Sequence, residues 1–333
     1  MRYIIIGAGA VGGAIGGRLF EGGREVVLVA RGAHYRALAE QGLTLMTLDG
    51  TVVLPVPSAD RPEGVRLRPD DVLVLAVKSQ DTQAALDAWA DRPVAGGGTA
   101  AELLPLVCAQ NAVENERLAL RRFRRVYGMC VWLPATHLEP GLIGAECSPL
   151  TGILHLGRYP HGADDTARSI AADLEACRFL APVSEDVMRW KYGKLIGNLS
   201  NALEAVTGPI ESAQALELHH AAGAEGTRVL DAAGIGYSTD QERAEVVGDR
   251  LRYRPVPGVN RGGGSSWQSL ARGAGSIEAD YLNGEIVLLG RIHGLATPVN
   301  SVLQRLADRD ARLGRGPGST TPAELAALIA KES

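Results

Sequence analysis

Short unbroken apolar runs dominate the first half of this chain, and apolar positions three and four apart dominate the second. Tyr3 to Ile6 is a β-branched run of the kind that forms a buried strand. A glycine-rich turn follows, then a helical pattern through Leu19 and Phe20, which Gly22 and Gly23 end. Glu25 to Val29 reads as a second strand. Asp71 to Val77 ("DVLVLAV") is a third, and "LLPLVCAQNAVENE" contains a fourth that stops before Gln110 and Asn111. From Val126, "VYGMCVWLPATHLEPGLIGAE" and "TGILHLGRYP" read as strands joined by a turn at Pro140-Gly141, and they are expected to extend the same sheet.

After Val183 the period changes. Ser184 reads as an N-cap, with Glu185 and Asp186 in the first turn. The helix is expected to run through Trp190 to about Val206, where Gly208-Pro209 breaks it. Further helical stretches are predicted over 213–233, 239–252, 265–273, 276–293 and 298–310. Thr321 with Glu324 forms a capping-box pattern for a short last helix. A Gly-rich loop, "VPGVNRGGGSS", spans 256–266. No internal repeat is visible. The pattern predicts an α/β fold: a Rossmann-type dinucleotide-binding domain over residues 1–182, then an all-α domain over 183–333.

The first turn carries chemistry. Gly7, Gly9 and Gly12 make a GxGxxG. Gly7 allows the tight turn, Gly9 lets backbone approach a pyrophosphate, and Gly12 lets the helix pack close to the strand. The helix N-terminus then offers free N–H groups to phosphate. A lone GxGxxG is a weak signal, but between a strand and a helix it is specific, and the competing reading is a structural Gly-turn. The second strand ends "VLVARG", with Arg31 where an NAD site usually carries an acid. Arg31 can pair with a 2′-phosphate, so NADPH/NADP+ is the expected cofactor. The alternative is a solvated loop arginine. Lys78, Gln80, Gln110 and Asn111 follow strand ends, where ligands of open α/β sheets bind. Each taken alone could equally be a polar loop start.

Composition narrows the field. The chain has 333 residues, 46% hydrophobic and 22% charged, as in soluble globular proteins. A net charge of -4 does not suit a polyanionic partner, so no nucleic acid is expected. The basic run "RLALRRFRRV" (117–126) reads as a solvated face. Cys108, Cys130, Cys147 and Cys177 form no CxxC and have no nearby His at metal-ligand spacing, so no metal is expected and reduced thiols are. Neither a signal-peptide pattern nor an apolar run of about 20 residues is present, which predicts a cytoplasmic protein without a membrane partner.

Of 34 Lys plus Arg, only Lys78, Lys191, Lys194 and Lys331 are lysines, and two of them open "KYGKLIGNLSNAL". On a helix Lys191, Lys194, Asn198 and Asn201 make one polar stripe. Such a stripe usually faces water. Here it carries short amides and lysines, and a lysine can be tuned to give up a proton near neutral pH. The stretch "SSWQSLARGAGSIEADYLNGEI" (265–286) holds a second candidate set. In it Ser265-Ser266 precedes Glu278 by about three helical turns. Read alone, Glu278 is a surface carboxylate.

Taken together, these motifs resemble the ketopantoate reductase family over nearly the whole chain. The resemblance rests on the GxGAxG turn, "LVAR", Lys78 with Gln80, Gln110-Asn111, "GILHLG" and Trp190 leading into the Lys-Asn helix. It is most specific in "SSW", "IEADYLNG" and "HGLATPVN". The resemblance implies that Lys194 is the general acid that protonates the ketone oxygen while NADPH delivers hydride. It implies that Glu278 hydrogen-bonds the substrate hydroxyl, that Ser266 helps hold the substrate, and that Asn111 contacts the cofactor. Lys191 is left with a structural or peripheral role. Five positions depart from the family pattern: Ala202 stands in place of a second helix Asn, with Asn201 one residue early; Ala112 replaces Gly; Ser269 replaces Asp; and Gly275-Ser276 replaces Arg-Thr. Asn201 either substitutes from the same face or the helix bulges.

The expectation is therefore an NADP-dependent oxidoreductase that reduces a small-molecule 2-keto acid to a 2-hydroxy acid, by default ketopantoate to pantoate in pantothenate biosynthesis. The keto acid is expected in a cleft against the helical domain, held by Asn198, Asn201, Ser266 and Glu278. A homodimer is compatible with this reading. The alternatives are a paralogous reductase of another keto acid or an imine, and a sensor that binds NADPH without turnover.

Overall fold

The computed structural model describes residues 1–259 and 262–332, so the centre of the Gly-rich loop lies outside the described residues. The strands, in chain order, are β1 (Arg2–Ile6), β2 (Glu25–Val29), β3 (Leu43–Thr47), β4 (Gly50–Leu54), β5 (Ser58–Ala59), β6 (Asp71–Leu75), β7 (Pro105–Cys108), β8 (Arg125–Trp132), β9 (Ala135–Glu139), β10 (Leu142–Ala145), β11 (Cys147–Pro149), β12 (Gly152–Arg158), β13 (Phe179–Leu180) and β14 (Leu251–Tyr253). The helices are α1 (Ala10–Glu21), α2 (Gly32–Gln41), α3 (Thr82–Trp89), α4 (Ala100–Leu103), α5 (Asn115–Leu120), α6 (Asp165–Glu175), α7 (Val187–Asn198), α8 (Ser200–Thr207), α9 (Ala213–Ala232), α10 (Asp240–Val247), α11 (Ser265–Ala271), α12 (Asn283–Ile292), α13 (Pro298–Arg312) and α14 (Pro322–Ile329). They form two compact units: Met1–Lys191 with Thr239–Asn260, and Tyr192–Ser238 with Arg261–Ser333.

The first unit is built on an eight-stranded sheet, ordered β13-β12-β8-β7-β6-β1-β2-β5. From β8 to β5 every neighbouring pair is parallel, and β12 runs against β8. Strand alternation divides the core. Tyr3 and Ile5 turn to the face covered by Ile15 and Leu19 of α1 and Ile170 of α6. Ile4 and Ile6 turn to the face covered by Leu86 and Trp89 of α3. Each fully buried Ile or Leu there contributes on the order of 2 kcal/mol.

The hairpin at Pro140-Gly141 does not extend this sheet. β9 and β10 join β3 and β4 in a separate four-stranded sheet, ordered β4-β3-β10-β9. In the main sheet β8 lies between β7 and β12, so the sheet is extended beyond β8 by β12 and not by the hairpin. The reason is local: Gly141, at φ +83°, gives its carbonyl to Thr44 N–H (2.8 Å), which ties the hairpin to β3.

The expected helix over 239–252 is also divided. Thr239 and Glu242 cap α10 with a reciprocal box. Gly248 adopts φ +42° and ends it, and β14 then pairs antiparallel with β11. This segment packs with the first unit, and the units divide inside α7, at Lys191. The start of α7 shifts as well. The Ser184 hydroxyl accepts from Asp186 N–H (3.2 Å), while the Asp186 carboxylate accepts from Arg189 N–H (3.2 Å) and so caps the helix.

The second unit is helical. Glu225 of α9 is buried and accepts hydrogen bonds from the backbone N–H groups of Val299 and Asn300 (both 3.0 Å), in the first turn of α13. Asn300 Nδ2 donates to Glu225 (2.8 Å) and to the Ala222 carbonyl (3.1 Å). Asn283 Nδ2 donates to Asn300 Oδ1 (2.9 Å) and to the Leu199 carbonyl (3.0 Å). That last bond falls where the expected continuous helix breaks. Leu199 separates α7 from α8, and its own N–H is shared between the carbonyls of Leu195 and Ile196.

Candidate functional sites in the two units

In the first unit, β2, β1, β6 and β7 are consecutive parallel neighbours. Their C-terminal ends therefore line one edge, and they deliver Arg31, the glycine turn, Lys78 and Asn111 in that order. β1 is also the switch point, because the chain proceeds from it to β2 on one side and later places β6 on the other.

The three glycines differ. Gly7 sits at φ +98°, and a Cβ there would lie 2.8 Å from the Val77 backbone nitrogen. At Gly12 a Cβ would overlap the Gly7 carbonyl oxygen and lie 2.9 Å from Ile5. Both are demanded by the fold itself. A Cβ at Gly9 would meet nothing within 4 Å. Gly9 is the N-cap of α1, whose first turn carries no acid and no side-chain cap. Open space before unsatisfied helix N–H groups is what a phosphate needs.

Arg31 is exposed at the N-cap of α2 and makes no side-chain hydrogen bond or ion pair with a described residue. Lys78 is half-buried at the N-cap of the turn over Ser79–Asp81. Asn111 precedes Ala112, which adopts φ +65°, a left-handed conformation that costs a side chain about 1 kcal/mol or more.

A buried polar network lies behind these strand ends. Gln110 Nε2 donates to the Val77 carbonyl (2.9 Å) and to Thr82 Oγ1 (2.8 Å). Thr82 Oγ1 donates to Asn115 Oδ1 (2.7 Å), and Asn115 Nδ2 donates to the Asn111 carbonyl (2.8 Å) and Ser79 Oγ (3.2 Å). Lys191 Nζ donates to the Gln110 carbonyl (3.1 Å) and pairs with Glu116. Lys191 is 4% exposed and Glu116 fully buried. The single polar stripe expected on α7 is thus split: Lys191 points into the first unit's core, and Lys194, three residues on, belongs to the second unit.

His34 is another group the sequence did not flag. Its ring hydrogen-bonds the Ala8 carbonyl through Nε2 (2.7 Å), and Nδ1 accepts from Gly141 N–H (2.9 Å). That pair of partners requires a neutral ring with the proton on Nε2. Burial holds its pKa below the usual histidine value, against the pull of the Ala8 bond. The ring braces the glycine turn between Gly7 and Gly9.

In the second unit, Lys194 and Asn198 lie one turn apart on α7 and are half-buried. Ser266 (2% exposed) sits on α11, and Glu278 (4%) opens a 3-10 turn over Glu278–Tyr281. Glu278 is no surface carboxylate. Helix α11 ends at Ala271, so Ser266 and Glu278 come from separate elements and not from one helical run. Asn201 reaches the α11 segment: its Nδ2 lies 3.5 Å from Ser265 Oγ. Glu204, one turn further along α8, accepts a hydrogen bond from Gly264 N–H (2.7 Å). Nothing in the sequence pattern marked Glu204, which reads as one more helix acid. The hydroxyl of Ser269, where the family pattern has Asp, donates to the Ser265 carbonyl of its own helix (3.0 Å).

The basic run from 117 is not one helix. α5 ends at Leu120, and Arg117, Arg122 and Arg124 pair with Glu114, Asp87 and Glu102. Among the described residues, no helix is long and apolar enough to cross a membrane.

Two family models match the chain. Ketopantoate reductase PanE/ApbA covers residues 3–160, and its C-terminal counterpart covers 186–310. A 2-dehydropantoate 2-reductase of Mesorhizobium japonicum is 31% identical, over 92% of this chain and 98% of its own length. One of Pyrococcus horikoshii is 25% identical over 95% and 99%. Among solved structures, a PanE/ApbA family ketopantoate reductase from Ralstonia eutropha superimposes with a TM-score of 0.76 at 28% identity, covering 94% of this chain and 99% of that one. A D-mandelate dehydrogenase with NADH and anilino(oxo)acetate shares the fold, with a TM-score of 0.78 at 21% identity over 94% and 99%.

Proposed function

This chain belongs to the ketopantoate reductase family, and on that premise we propose that it uses NADPH to reduce a 2-keto acid to the 2-hydroxy acid, with ketopantoate to pantoate as the default reaction. The observation that carries the cofactor half is Gly9. Of the three turn glycines it alone is not required by packing, so its reason is a ligand that approaches backbone there. Bound NADPH supplies the hydride. Gly7, Gly9 and Gly12 shape the turn that holds the pyrophosphate, and Arg31 pairs with the 2′-phosphate. Lys78 and Asn111 meet the rest of the cofactor along the sheet edge.

The residues of the second unit take the substrate. The Lys194 ammonium donates its proton to the ketone oxygen as negative charge develops there. Glu278 accepts a hydrogen bond from a substrate hydroxyl. Ser266 and Asn198 orient the substrate, and Asn201 steadies the Ser265–Ser266 segment. A second reading, a reductase of a different 2-keto acid, is favoured by Ser269, whose hydroxyl is spent on its own helix.

The test is NADPH oxidation by the purified protein against ketopantoate and a panel of 2-keto acids. Lys194→Ala should lower kcat by about 10²–10⁴-fold with NADPH affinity unchanged. Arg31→Ala should reduce the preference for NADPH over NADH by roughly tenfold or more. Preference for another panel member selects the second reading. Tight NADPH binding with no turnover of any member would replace both readings with a sensor.

A further inference from the structure

Asn111 stands on a backbone that should not hold itself in place. The next residue, Ala112, is left-handed at φ +65° without being glycine, and such strain persists only where the surroundings over-determine it. The surroundings here are the buried network described above, and of its two charged members, Lys191 and Glu116, the lysine reaches the strand end directly. Lys191 Nζ donates to the Gln110 carbonyl (3.1 Å), the peptide unit from which Asn111 departs. Glu116 holds the ammonium there. From the other side Asn115 Nδ2 takes the Asn111 carbonyl (2.8 Å). Both peptide oxygens flanking Asn111 are therefore clamped.

A buried ion pair is a poor stability device, because desolvation offsets most of its attraction. Burial indeed pushes the Glu116 carboxyl up, against the pull of Lys191. Two further polar atoms in this network, Gln110 Oε1 and Glu116 Oε2, are buried without a hydrogen-bond partner among the described residues. An apolar cluster would fill this space more cheaply, so the pair points to a directional role.

We infer that Lys191 and Glu116 are positioning residues that fix the Gln110–Ala112 backbone and so aim Asn111 at the cofactor. The inference rests on the proposed function for its catalytic consequence but not for its structural one.

The experiment replaces the pair by apolar residues of similar size, Lys191→Met with Glu116→Leu, so that neither charge is left buried alone. Two readouts are taken. Amide hydrogen exchange should rise in peptides covering 109–113 while the rest of the first unit keeps its protection. In turnover, kcat should fall by roughly tenfold or more, because small misplacement of a reacting group is expensive, while NADPH affinity stays within about threefold. The isotope effect with NADPH deuterated at the transferred position should grow. If the double variant proves insoluble, Thr82→Val cuts the same network without touching a charge and should shift both readouts the same way.

Wild-type exchange at 109–113 together with wild-type kcat in a folded variant would overturn the inference and make the pair a packing feature. A wild-type chain that turns over no substrate defeats the proposed function instead, and exchange alone then decides this inference.

Discussion

The first unit carries its proposed ligand groups on strand ends and a backbone turn, and the second carries most of its own on helix side chains. In the first, Gly7 and Gly12 are held by contacts a Cβ would violate, and the Asn111 backbone is clamped by Lys191 and Asn115. In the second, Lys194, Asn198 and Ser266 ride on helices, and the segment that carries Ser266 is tied to α8 by a side-chain bond, Glu204 to Gly264 N–H. Backbone recognition suits a ligand common to many enzymes, because phosphates need only N–H groups and space. Side-chain recognition suits a variable substrate, since each position can be exchanged without refolding the unit.

The glycine turn gives the largest effect with which to test this contrast. Gly12→Ala should fail to fold the first unit normally, since the new Cβ would overlap the Gly7 carbonyl. Gly9→Ala, whose added Cβ meets nothing within 4 Å, should melt within a few degrees of the wild type yet lose roughly tenfold or more in NADPH affinity. Parallel thermal melts and NADPH titrations decide it, and a Gly9 variant with unchanged affinity would remove the ligand reading of that position.

Acidity separates the units next. In the first, His155 stacks on Trp190 (4.1 Å between ring centres) and meets Trp132 edge-on (4.9 Å). Neither of its ring nitrogens has a partner among the described residues, and burial holds its pKa down to about 4. The unfolded chain, with a histidine pKa of about 6.5, takes up the proton first. The stability this neutral ring confers is therefore complete above about pH 6.5 and is lost as pH falls toward 4, by on the order of 3 kcal/mol. In the second unit the sign is opposite. Burial, and then the neighbouring Asp280 carboxylate, push Asp308 up to about 7. That contribution is present below about pH 4 and is lost as pH rises through 7. Thermal melts from pH 4.5 to 8 should show His155→Phe flattening the acid limb and Asp308→Asn raising the neutral limb. Superimposable pH profiles for both variants and the wild type would contradict these assignments.

The smallest expected effect is at Ala112. Ala112→Gly should relieve the left-handed strain and raise stability by about 0.5–1 kcal/mol, after the entropy glycine adds to the unfolded chain. Chemical denaturation measures it, and a destabilised variant would mean the network does not hold that turn under strain.

What the sequence by itself determined is local. The β1 run, the GxGxxG turn and the strand ends at Arg31, Lys78 and Asn111 were legible because a parallel sheet needs unbroken apolar runs and a phosphate turn needs glycine at fixed offsets. The capping boxes at Thr239 and Thr321 were equally local, and the second of them was read correctly as a helix start. What only the tertiary structure decided were partners far apart in sequence. Apolar alternation assigns a strand but not the sheet it joins, so the β9–β10 hairpin went to a sheet with β3. A helical period cannot reveal that Asn283 takes the Leu199 carbonyl, and so it ran α7 into α8. The same limit separates the two lysines of "KYGKLIGNLSNAL". Spacing put both on one stripe, but burial against Glu116, 75 positions earlier, made Lys191 a clamp in the first unit and left Lys194 to the second. Hydrogen bonds and ion pairs act over about 3 Å of space and take no account of sequence distance.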